Sequence, residues 1–168
     1  MPRAIHGFVR AVEAFNRLVG RFAMYLIFVI LGVLLYASIS KTFFMPAAWT
    51  LESAQFLMVA YFLLGGAYSM QLDAHVRMDL FYSRWSPRAR TIIDVLTIGF
   101  LIFYLVLLLY GGFSSAQYAW EYNETSYSAW SPPMLPIKIV MCFGIVLMLL
   151  QSLVMLIKDI ATLRGESL

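Results

Sequence analysis

The chain has 168 residues, 62% of them hydrophobic and only 12% charged, with a net charge of +3. Soluble domains carry about 25% charge, so this composition excludes a water-soluble domain and predicts a chain covered by lipid. The cations lie between apolar runs, so phospholipid, not nucleic acid, is their expected partner.

In chain order, the first element predicted is an arm. Ile5, Phe8, Val12, Phe15 and Val19 recur at three- and four-residue steps, with Arg3, Arg10, Arg17 and Arg21 on the opposite face. That pattern predicts an in-plane amphipathic N-terminal helix over 1–21, its arginines on lipid headgroups and its apolar stripe in the acyl boundary. Glu13 stands three residues after Arg10 and four before Arg17, spacings at which helical charges pair. The long basic stretch and the absence of an A-x-A-like site argue against a cleaved signal peptide.

Four uncharged windows follow, at 22–40, 53–72, 95–120 and 139–157. About 20 residues cross a bilayer, and a charge at mid-membrane costs roughly 2.5–3.5 kcal/mol, so four clean windows predict four transmembrane helices. Their expected extents are 22–44, 51–72, 92–117 and 137–157, and the whole chain is expected to form a single, all-α membrane domain. Ten of the twelve Lys and Arg fall before the first window, between the second and third, or after the fourth, leaving Lys41 and Lys138 for the other side. The positive-inside rule then places both termini in the cytoplasm. Between windows two and three, Ser86 is a candidate cap for a helix entered through Pro87. Between three and four, Pro132, Pro133 and Pro136 stiffen the approach to the last span.

Chemistry is sparse. There is no phosphate loop, paired-Cys or His-x-x-x-His metal pattern, or nucleophile elbow, so no catalytic residue, cofactor or metal is expected and the chain is not read as an enzyme. Cys142 is alone, and His6 and His75 lie outside the windows. The polar residues within the windows are few, among them Ser38, Gln55, Ser69, Ser114 and Gln151, and interhelical hydrogen bonding or contact with a partner accounts for them. Gly65-Gly66 and Gly111-Gly112 are expected to admit a second backbone. Glu52 either faces the N-terminus of its own helix or meets Lys41 or a partner.

Several segments carry a resemblance. Lys41-Thr42-Phe43-Phe44 is followed by Trp49-Thr50-Leu51-Glu52, then by Gly65-Gly66-Ala67 leading to His75-Val76-Arg77-Met78-Asp79, and later by Thr125 to Pro133 with Pro136-Ile137-Lys138. Together with the four-window layout, these resemble the small membrane (Q) subunit of tripartite ATP-independent periplasmic (TRAP) transporters. Two departures stand out: the family often has Arg where Lys41 stands, and two acids where this chain has Leu51-Glu52. The resemblance implies a bacterial inner-membrane scaffold without a substrate site. Its partners would be a large membrane (M) subunit, which carries an organic acid anion inward with sodium, and a periplasmic substrate-binding protein that delivers it. It also marks Lys41, Trp49, Glu52, Gly65, Gly66, His75, Arg77 and Asp79 as candidate interface or structural residues. The alternatives are an accessory or assembly subunit of another membrane complex and a self-contained four-span exporter, although the first window lacks the buried carboxylate of small multidrug carriers.

Overall fold

The computed structural model describes residues 3–72 and 87–163. Four helices account for most of them: Arg3–Phe43 (α1), Trp49–Gln71 (α2), Pro87–Glu121 (α3) and Leu135–Leu163 (α4). Each is long and apolar enough to cross a membrane. Among the described residues the sole β pairing is one isolated bridge, Thr125 to Pro133.

The expected arm is not a separate element. α1 is one helix of 41 residues, about 60 Å long, and continues through Arg21 without a break. An in-plane arm needs a turn at that point, and none exists. The physical reason lies in what the apolar stripe touches: Val9 and Val12 are buried against Val154 of α4, with Ile5 and Leu150 packed beside them. A stripe occupied by another helix is not offered to the acyl chains. Phe8 and Phe15 flank this seam and stay largely exposed, while Arg10, Arg17 and Arg21 point outward.

The helices stand in a row. α1 packs on α2, α2 on α4 and α4 on α3, with a shorter α1–α4 contact at the end of the bundle where α1 begins and α4 finishes. The core accordingly lies among three helices, where Ala23, Leu64, Ala67 and Leu147 are buried together. α3 stands at the edge, resting on α4 through a narrow seam in which Leu105 and Ala119 are buried and Gly112 faces Cys142. Most of its circumference is open, including Phe100, Phe103, Tyr110 and Phe113. Lipid accepts such a surface, because no hydrophobic force draws an apolar helix out of a bilayer into a protein.

Close approach in this row is governed by glycine. A Cβ on Gly20 would fall 2.3 Å from Tyr68 Cβ, and one on Gly144 would fall 2.8 Å from Leu63 Cβ and 3.0 Å from its carbonyl carbon. Of the pairs singled out in the sequence, Gly66 and Gly112 do sit against neighbours, Met148 and Cys142, whereas Gly65 and Gly111 face open space.

The helix ends obey local chemistry. α3 starts at Pro87, where a missing N–H costs nothing. It ends in a Schellman closure: Asn123 is left-handed at φ 47°, and the Glu124 N–H donates to Ala119 O at 3.2 Å. α4 tolerates Pro136 because that residue lies in its first turn. Three of the helices overrun their uncharged windows at both ends and α2 does so at its start, since those windows measure what lipid tolerates and not where backbone hydrogen bonding stops. Ser86 lies outside the described residues.

Candidate functional site

Two polar clusters tie the row together, one at each end of the bundle. At the end where α1 begins and α4 finishes, the Asn16 Nδ2 donates to Gln151 Oε1 at 2.7 Å, with both side chains almost wholly buried. Ser152, also buried, returns its hydroxyl proton to Leu149 O in its own helix. One turn closer to the start of α1, the Glu13 carboxylate is taken by Lys158 of α4 rather than by Arg10 or Arg17. The polar link and the Val9–Val12–Val154 contact therefore fall on one seam, which is what keeps the first nineteen residues of α1 parallel to the bundle instead of lying across it.

At the opposite end, the 122–134 segment folds over the helix ends as a pinned loop. Ser126 N–H donates to Pro132 O at 3.0 Å and Met134 N–H to Glu124 O at 2.9 Å, so the segment doubles back on itself. Ser131, left-handed at φ 45°, is held by Ser128, whose hydroxyl accepts its N–H and whose carbonyl accepts its Oγ–H. Two side-chain contacts fasten the loop: the Ser126 hydroxyl donates to Glu52 Oε1 at 2.6 Å, and Lys138 pairs with Glu124 while also reaching Ser115 O at 3.3 Å. Tyr127, at the tip, is fully exposed.

Of the residues marked by sequence, Glu52 is thus the anchor of this loop, and Lys41, exposed in the last turn of α1, is not its partner. Trp49 stacks on Tyr36 of α1 at a centroid distance of 5.6 Å. Gly66 packs against Met148, while Gly65 opens onto a hollow. His75, Arg77, Asp79 and the Arg3 side chain lie outside the described residues. Of the five polar window residues named from the sequence, Gln151 is buried, whereas Ser38, Gln55 and Ser114 are exposed; Ser40 and Ser152, not named there, are buried too.

Sequence reasoning did not single out Asn16, Gly20, Gly144, Glu124 or Lys158. Asn16 interrupts an apolar stripe at a core spacing and was legible as a polar core position; Gly20 and Gly144 carry no local signal, because their neighbours are remote in sequence.

Among the described residues no group of three or more His, Cys, Asp and Glu is placed to hold a metal ion. What the site offers is packing and hydrogen bonding between helices.

Residues 30–162 match the family model described as "Tripartite ATP-independent periplasmic transporters, DctQ component". The chain belongs to the DctQ family. This makes it the small membrane subunit of a TRAP transporter, a family of transporter components and not of enzymes, associated with a large DctM subunit and a binding protein. A search of curated proteins found no significant match. The matched range of this DctQ chain begins at residue 30, so the contacts of Glu13, Asn16 and Gly20 are read from its own structure and not from the family.

Proposed function

We propose that this DctQ component is a scaffold: it braces the large subunit in the inner membrane while that subunit carries an organic acid anion inward with sodium, after delivery by the periplasmic binding protein. In this reading both termini are cytoplasmic, the pinned loop faces the periplasm, and exposed Arg10, Arg17 and Arg21 meet phospholipid phosphates at the inner surface. The observation that supports it best is the placement of charge: the Glu13–Lys158 and Glu124–Lys138 pairs lie toward opposite ends of the row. An autonomous carrier places ionisable groups or broken helices near mid-membrane, where an anion and its coupling ion can bind. Here Phe22 to Ser40, the uncharged part of α1, belongs to one continuous helix, and α2 runs from Trp49 to Gln71 without interruption.

The test is reconstitution. Liposomes with both membrane subunits and the binding protein should take up the anion in a sodium gradient, and omission of this chain should abolish uptake. Sodium-driven uptake by this chain alone, or unchanged uptake without it, would refute the scaffold reading.

A further inference from the structure

The residues of α1 include one acid, Glu13, set between Arg10 and Arg17 at spacings that would let it pair with either. It pairs with neither. Its carboxylate leaves the helix for Lys158 of α4, and no carboxylate among the described residues pairs with Arg10, Arg17 or Arg21. At 100° per residue the three arginines fall within about 40° of one another and span about 17 Å of the helix. All three are exposed. They form a ladder of uncompensated charge in which Arg17 and Arg21 stand one turn apart, where like charges repel.

The Glu13–Lys158 pair is itself partly open, the lysine side chain being 43% exposed and the glutamate 21%. Such pairs add little to stability, and the Val9–Val12–Val154 contact and the Asn16–Gln151 bond already hold this end of α1 to α4. What the lysine changes is the ladder: without it, Glu13 would turn to Arg17, the favoured order for a pair four residues apart. Beyond Arg21 the same flank becomes apolar, with Met24, Phe28 and Leu35 exposed and within about 40° of the arginine line. From Arg21 to Leu35 is about 21 Å along the helix, more than the roughly 15 Å of hydrocarbon in one leaflet.

We propose that this flank of α1 binds an anionic phospholipid of the inner leaflet, its phosphate on Arg17 and Arg21 and one acyl chain along Met24 and Phe28, and that Lys158 keeps the site open by holding Glu13 away. The site rests on the inner-surface placement of these arginines proposed above and gives it a lipid class. Charge at one end and an apolar run in line with it match a headgroup and its chain, whereas a nucleic acid or a free phosphate uses only the charge. A second copy would bring like charge against like. A zwitterionic headgroup satisfies the guanidinium groups less well, because its own ammonium stands beside the phosphate that they bind.

The test reads the lipid at the site. Benzoylphenylalanine replaces Phe28, or Phe103 on the open face of α3 as a control, and the chain is reconstituted with the large subunit in vesicles of equal phosphatidylglycerol and phosphatidylethanolamine. After illumination, mass spectrometry of the adducts gives the ratio of the two lipids. Position 28 should take phosphatidylglycerol at least about fivefold over phosphatidylethanolamine, the preference that one basic residue contributes at an anionic surface, and position 103 should take both about equally. Arg17→Gln with Arg21→Gln should bring position 28 to the ratio at 103. Lys158→Met should lower the ratio at 28 about threefold, and adding Glu13→Gln should restore it. If the pair served only to hold the helices together, the double change, which still lacks it, would stay low, and that result would overturn the role of Lys158. Equal ratios at 28 and 103, a ratio at 28 indifferent to the arginines, or adducts at 28 to the large subunit in place of lipid would overturn the binding site. The vesicles carry the same lipids in both leaflets, so the ratio does not depend on orientation. Labelling of position 125 from the cytoplasm would instead overturn the inner-surface placement, and the choice of leaflet with it.

Discussion

Replacing Gly144 with Ala sets two known effects against each other. An alanine in a helix interior is favoured over glycine by about 1 kcal/mol, so the change alone should stabilise α4. Against that, the new Cβ would stand 2.8 Å from Leu63 Cβ, 3.0 Å from Leu63 C and 3.1 Å from Leu63 O. Ordinary carbon contacts lie near 3.5–4.0 Å, and two of these three atoms are backbone, so no rotamer change relieves the clash and the helices must separate by roughly 0.5–1 Å. Such overpacking costs about 1–3 kcal/mol, and here it works against the seam that carries Ala67 and Leu147. The expected net result is a loss of about 1–2 kcal/mol. Gly111→Ala, with no neighbour within 4 Å, should be neutral or stabilising by up to about 1 kcal/mol. Unfolding of the purified chain in mixed micelles, followed by tryptophan fluorescence against the fraction of denaturing detergent, gives both values on one scale. If Gly144→Ala proves as stable as Gly111→Ala, the close α2–α4 approach is wrong.

Three further outcomes are expected. Asn16→Leu or Gln151→Leu alone should destabilise the chain by about 1–3 kcal/mol by leaving the other carboxamide buried and unpaired, whereas the double change should cost less than the worse single one; a strictly additive double mutant would contradict a direct bond. Ser126→Ala should loosen the pinned loop without disturbing the helices, seen as faster hydrogen exchange at the Ser126 and Met134 amides and none at the α2 core; unchanged exchange would mean that Glu52 does not fasten it. Cysteines at positions 85 and 125, in a Cys142→Ser background, should be labelled from opposite sides of sealed cells, with 125 reached from the periplasm; labelling of both from one side would refute the four-span layout.

The number of membrane helices was written in the sequence because a charge in hydrocarbon is so costly that 22–40, 53–72, 95–120 and 139–157 had to be uncharged. The Q-subunit resemblance was legible too, since it rests on short local motifs that the family match to residues 30–162 supports. Periodicity in residues 5–19 correctly announced a helix with one apolar stripe, but it could not say what the stripe touches. An in-plane arm and a helix packed on a neighbour both need one apolar stripe and so present the same pattern, although here the neighbour covers Val9 and Val12 and leaves Phe8 and Phe15 largely exposed. Only the tertiary structure decided between them, by bringing Val154, Gln151 and Lys158 of α4, more than 130 residues away, onto Val12, Asn16 and Glu13. The same holds for the glycines: Gly65 and Gly66 are adjacent and chemically identical, yet a helix turns successive residues by 100°, so one meets Met148 and the other meets no atom of its own chain.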